Sequence, residues 1–139
     1  MVEKLIKIRK YPLISYIVKV LFIIIGVDIP KDVIIGKNVK FPHNSYGTVI
    51  HPNTIIGDNV TIYQNVTIGR ADIYRDFKES RMQKIIIENG AILCAGCKIL
   101  CKDNKLVIGK NSIIAANAVL TNSTKENEVW GGIPAKKIK

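Results

Sequence analysis

The sequence predicts an all-β fold, a parallel coil wound from six-residue repeats and entered through a short N-terminal helix. Three observations carry this. From Ile29 onward an apolar residue recurs every six positions, in units such as "IGKNVK", "IGDNVT", "IYQNVT", "IENGAI", "LCAGCK" and "IGKNSI". Within the units the first position is Ile, Leu or Phe, and the fifth is nearly always Val, Ser, Thr, Ala or Cys. Polar "GKN" and "GDN" triplets recur between the apolar positions, where Gly and Asn accept positive φ. A period of six fits neither a helix nor an alternating hairpin strand. It fits three short strands per turn, each turning one large and one small side chain inward. Such a chain is a solenoid, each turn burying its face on the next.

The elements follow in order. Residues 1–26 form a basic and apolar segment, with Pro12 suited to a first helical turn and Gly26 to a helix end. Its apolar run from Pro12 to Ile25 is 14 residues long with Lys19 in the middle, too short to span a bilayer, and no small-residue cleavage site follows. The segment is expected to pack on the domain or its oligomer partners, or to lie on a membrane with Lys and Arg toward anionic lipid. Residues 27–139 form the coil, and 139 residues suffice for one domain. The rhythm breaks first at "FPHNSYGTVI", where Gly47 to Val49 are extra beside His43. A larger break, "RADIYRDFKESRMQ" within about 70–84, is charged and is expected to project from a corner as a loop.

Lys and Arg number 21 against 11 Asp and Glu, and the net charge of +10 predicts attraction to anions. The basic residues are scattered without interleaved aromatics that could stack bases, which argues against nucleic acid. Three cysteines, an odd number, fit a reducing cytoplasm, with the inner membrane face as the one alternative location. Cys94 and Cys97 have the gap of a zinc half-site, but no second half exists, and Cys97 falls on a small inward position; no metal is expected.

The repeats, "VDIP" followed fifteen residues later by His43, "IGDNVTIYQNVTIG", "AGCKIL" and the closing "AANAVLTNS" with "VWGGIPAKKIK" resemble the hexapeptide-repeat acyltransferases over about residues 27–139. The nearest likeness is to the serine acetyltransferase branch, including small acetyltransferases of capsule and exopolysaccharide synthesis. The resemblance implies a left-handed parallel β-helix, a homotrimer, and acetyl-CoA as acyl donor. It implies His43 as general base and Asp28 as the carboxylate that orients it. A weakly nucleophilic alcohol needs a base as it attacks a thioester, and a carboxylate on the second ring nitrogen fixes the tautomer. The acetyl-CoA segments of the family match Ala95, Gly96, Ala115 and Ala116, with Lys136 and Lys137 toward the nucleotide phosphates.

Departures from serine acetyltransferases shape the expected acceptor. That branch carries an aspartate where this chain has Pro42, and an Arg-His pair where it reads Arg81 and Met82; a long N-terminal helical domain has no counterpart. The reading is therefore an acetyl-CoA-dependent O-acetyltransferase acting on a sugar hydroxyl of a polysaccharide or glycan precursor, with Arg81 and Asn44 as acceptor contacts. Serine acetylation in cysteine biosynthesis is the first alternative, and a non-catalytic scaffold or sugar-binding module the second. β-Helix carbonic anhydrases use three histidine ligands, whereas this chain has His43 and His51 alone.

Overall fold

The computed structural model describes all residues 1–139. The N-terminal segment holds two helices rather than one, α1 (Val2–Ile8) and α2 (Pro12–Ile24). Pro12 causes the break: it forces Tyr11 into an extended conformation (φ −87°, ψ 128°) and itself occupies the first turn of α2. The end of α2 is built from Gly26, whose φ of +68° turns the chain so that its amide reaches the Ile23 carbonyl at 3.1 Å and the Val27 amide that of Phe22 at 2.8 Å. Val18 and Phe22, one turn apart, bury against the coil together with Val2 of α1. Polar ties fix the same contact. Arg9 donates to the carbonyls of Ile29, Pro30 and Val33 at 3.1, 3.0 and 2.8 Å, and Glu3 accepts from the Phe41 amide at 2.9 Å. The helices thus cover the first coil.

From Asp28 the chain winds through three sheets of parallel strands. The first holds Ile34–Ile35, Thr54–Ile56, Met82–Ile87 and Asn104–Ile108. The second holds Thr61–Ile62, Ile92–Leu93, Ile113–Ile114 and Val129–Gly132, and the third Val49–Ile50, Thr67–Arg70, Lys98–Cys101 and Val119–Leu120. Register measures each turn. Val49 pairs with Thr67, 18 residues on, the plain three-repeat turn. Ile34 pairs with Ile55 at 21, which counts the three extra residues near His43, and Thr67 with Lys98 at 31, which counts the loop after Arg70. A further three-residue excess lies near Asp103, since Ile92 pairs with Ile113 at 21.

Burial explains the repeat. Ile56 and Val60, Ile62 and Val66, Leu93 and Cys97, Ile114 and Ala118 are all at most 1% exposed, four positions apart in each case. The large first residue fills the axis and the small fifth one closes the corner, so the core is a column of stacked side chains. Each buried Ile, Leu or Val of these pairs contributes about 1.5–3 kcal/mol by removing its apolar surface from water. The coil ends differently: Ala135–Lys137 folds back antiparallel on Val129–Gly132, a hairpin that the six-residue rhythm did not announce.

Candidate active site

His43 stands at the corner between the second and third sheets, on the inserted turn of the first coil. Its φ is +53°, and Asn44 (+53°) and Ser45 (+46°) share the left-handed region, which non-glycine residues occupy at a cost of about 1–3 kcal/mol each. Surrounding bonds hold this strain in place. Ser45, fully buried, donates its hydroxyl to the Ile62 carbonyl at 2.5 Å. Thr48, also fully buried, donates to the Tyr63 carbonyl and accepts from the Val66 amide, both at 3.2 Å. The corner is bolted to the next coil while the imidazole remains exposed, its ring 6.5 Å from that of Tyr63. Ser45 had a signal in the sequence, a small hydroxyl residue at the inward fifth station of its repeat, whereas Thr48 lies within the insertion, where the repeat gives no station.

Asp28 lies on the coil below. Its backbone pairs in parallel with Val49, six residues beyond His43, and its exposed side chain lines a groove of about 820 Å³ between α2 and the coil, with Arg9, Lys19 and Lys31. No hydrogen bond joins Asp28 to His43. The two residues occupy neighbouring turns at different stations.

Above His43 the same corner recurs on each coil as Tyr63 to Asn65, Cys94 to Gly96 and Ala115 to Asn117. Here Ala95, Gly96 and Ala116 line a groove of about 470 Å³ with Asn65, Lys98, Asn117, Val119 and Ile133. Gly96 has φ +74°, and a Cβ there would sit 2.2 Å from Asn117 Oδ1, so any side chain at this corner displaces the Asn117 carboxamide stacked on it. The amides of Ala95 and Ala116 bond to no group of the chain, whereas their neighbours Gly96 and Asn117 donate to Gln64 and Ala95. Two open N–H donors beside small side chains suit an extended ligand bearing carbonyl oxygens. Ala115 flanks this groove, bonded to the Trp130 carbonyl at 2.8 Å.

The cations differ in their availability. Lys137 pairs with Glu128 at 3.0 Å, while Lys136 is exposed and paired in register with Gly131. Lys98, absent from the sequence-derived candidates, borders the groove with its ammonium 2.9 Å from the Asn65 carbonyl. Glu128 is nearly buried, and the Trp130 indole N–H, the Lys125 amide and Lys137 hold its carboxyl down at about 2. The thiols are quiet: burial pushes Cys97 up to about 12, and raises Cys94 and Cys101.

Arg81 and Asn44 are not brought together. Asn44 adjoins His43, whereas Arg81 closes the loop at the opposite end of the third sheet, its amide 3.0 Å from Asp72 Oδ2. Asp72, only 1% exposed, also accepts from Ser80 and lies 3.6 Å from Arg70. Beneath the loop, His51 stacks on Phe77 at 5.7 Å.

No family model matches the chain. A serine acetyltransferase of Staphylococcus xylosus is 34% identical over 137 residues, 99% of this chain and 59% of that protein. The crystal structure of serine acetyltransferase from Brucella abortus strain S19 superposes with a TM-score of 0.76 at 28% identity, over 91% of this chain and 48% of that one. The chain has the hexapeptide-repeat acyltransferase fold. A serine acetyltransferase in complex with CoA matches at 28% identity with a TM-score of 0.74, over 91% of this chain and 47% of that one. The chain therefore spans about three fifths of the curated Staphylococcus relative and about half of these solved chains.

These relatives correct one expectation. A sugar hydroxyl was inferred as acceptor because Pro42 and Met82 replace two polar groups of the serine branch, yet the relatives bear the name of that branch. The physical reason is plain: losing two contacts weakens one acceptor without supplying recognition for another.

Proposed function

We propose that this chain is an acetyl-CoA-dependent O-acetyltransferase whose acceptor is the hydroxyl of serine. One observation carries the reading. His43 and the small-residue groove open on the same corner of the coil, with Ala95 two turns and Ala116 three turns above His43, which at ~4.8 Å per strand spacing is about 10 to 14 Å. An extended thioester lying along that corner would use the Ala95 and Ala116 amides for its carbonyl groups, with Lys98 and Lys136 available to its phosphates. The relative solved with CoA supports the choice of donor, and the curated relatives support the choice of acceptor.

In this reading serine and acetyl-CoA bind together. His43 takes the hydroxyl proton as the oxygen attacks the thioester carbonyl; the C–S bond breaks, and the proton passes from His43 to the leaving thiolate. Asp28, one coil below, is the candidate to orient the imidazole. No acyl-cysteine forms. We take the coil to be left-handed and the assembly to be a homotrimer, as the resemblance implies. The exposed Ile73, Tyr74 and Phe77 on the projecting loop, 78, 70 and 62% accessible, support a neighbouring copy seated there.

Release of free CoA thiol from acetyl-CoA with L-serine tests the reading. Turnover in the native protein that His43→Ala abolishes, with its circular dichroism unchanged, supports it. Native protein that binds acetyl-CoA without serine-dependent thiol release overturns the acceptor, and absence of acetyl-CoA binding overturns the whole proposal.

A further inference from the structure

Helix α2 shows the coil only a narrow face. Val18 and Phe22 are buried, and at 100° per residue Leu13, Ile17, Val20 and Ile24 form a stripe on the opposite side, with Tyr16 and Ile23 along its flank. Leu13 is 86% exposed and Tyr16 and Ile24 are each 73% exposed, a concentration of apolar surface that water alone does not favour. Around it stand Lys4, Lys7, Lys10 and Lys19, all exposed. Of the nearby carboxylates, Glu3 is engaged by the Phe41 amide, while Asp28 and Asp32 are exposed in the groove that Lys19 and Lys31 also line; Arg9 is held by three carbonyls. The face is thus apolar at its centre and cationic at its rim.

We infer that this face docks on an anionic membrane surface, with α2 lying in the plane of the interface. Three arguments select this occupant. Four exposed lysines, with Lys31 beside them, outnumber the exposed Asp28 and Asp32, so the face is net cationic and complements anionic headgroups, whereas a second copy of the same face would set like charges against one another. Tyr11 and Tyr16 present the amphipathic rings that suit the headgroup boundary. No helix of the structure is long and apolar enough to cross a membrane, so the stripe can enter only from one side. The docked face belongs to the end of the coil nearest His43.

Sedimentation of the full chain with vesicles tests this, using phosphatidylcholine alone or with about one third phosphatidylglycerol. Binding is expected on the anionic vesicles only, and it should weaken as salt rises from about 0.1 to 1 M and the Debye length falls from ~10 to ~3 Å. Leu13→Glu with Ile24→Glu, two exposed sites where folding is not at stake, should lower binding at least about tenfold, and Lys10→Gln with Lys19→Gln should do the same. Native protein that ignores anionic vesicles overturns the inference, as does binding that these variants leave unchanged. Light scattering supplies the remaining arm: concentration-dependent assembly that Leu13→Glu dissolves, without vesicle binding, assigns the face to a second copy and overturns the membrane reading.

Discussion

Asp28 lies directly beneath Val49: its amide donates to the Thr48 carbonyl and its carbonyl accepts from the Ile50 amide, both at 2.9 Å. The inserted corner that carries His43 is therefore anchored at its far end to the residue proposed to orient it. Removing the base should cost more than removing the orienter. His43→Ala is expected to lower kcat/KM by about 10²- to 10⁴-fold. Asp28→Asn should lower kcat by about tenfold or more at unchanged acetyl-CoA KM. Steady-state thiol release on both variants checks this, and equal activity in native protein and His43→Ala removes His43 from the chemistry.

Ala116 is exposed at the groove and its amide is open, so enlarging the side chain there blocks a ligand without disturbing the core. Ala116→Leu is expected to raise the acetyl-CoA KM about tenfold or more while the melting temperature stays within a few degrees. Gly96→Ala differs, because its +74° backbone and the nearby Asn117 amide group penalise any side chain. That variant should lose about 1–3 kcal/mol of stability, read by denaturant unfolding.

Cys97 fills the fifth position of a repeat whose first position is Leu93, and both are fully buried. With its thiol at about 12, Cys97 should resist thiol reagents near neutral pH in the folded protein. Cys97→Ala should keep turnover and cost about 1 kcal/mol, against about 2–5 kcal/mol for Leu93→Ala. Loss of turnover in a folded Cys97→Ala variant would contradict a mechanism without a cysteine nucleophile.

Glu128 is held at about 2 in the fold against an ordinary 4.5, first by the Trp130 indole N–H, then by the Lys125 amide and Lys137. Its ionised form favours the fold. That contribution is complete above 4.5 and is lost as pH falls through that window toward about 2. The melting temperatures of native protein and Glu128→Gln should therefore differ near neutral pH and converge toward pH 2.

The coil was legible because its core obeys one local rule: Ile62 with Val66 and Leu93 with Cys97 repeat the same inward pair every six residues. Insertions were legible as interruptions of that rule, and the register offsets measure them. What the rhythm could not give was lateral placement. Lys98 borders the groove through its bond to Asn65, 33 residues earlier, and Arg81 lies across the third sheet from His43; both follow from how corners stack, not from spacing along the chain. Pro12 marks the break within the N-terminal segment, which composition alone presents as one helical stretch. The closing hairpin has no six-residue signature because it leaves the coil.

The structure places His51 under the loop. Its Nδ1 accepts from the Asn53 amide at 3.1 Å, its Nε2 is buried without a partner, and its ring stacks on Phe77, which also carries the Arg70 guanidinium at 5.7 Å. Burial first and Arg70 second depress its pKa below the ordinary 6.5, so the packed loop favours the neutral ring. Because the released form binds a proton more readily, loop packing is complete above 6.5 and weakens as pH falls below it. Hydrogen exchange at Arg75, Glu79, Ser80 and Arg81, corrected for intrinsic rates, should accelerate between about pH 7.5 and 5.5. His51→Phe keeps the stack on Phe77 without a titrating ring and should abolish that acceleration. If the variant retains it, the loop responds to another group. Asp72 is the poorest candidate: the Arg81 amide, the Ser80 hydroxyl and Arg70 outweigh its burial and hold its carboxyl below the ordinary 3.8, so it stays ionised throughout that range.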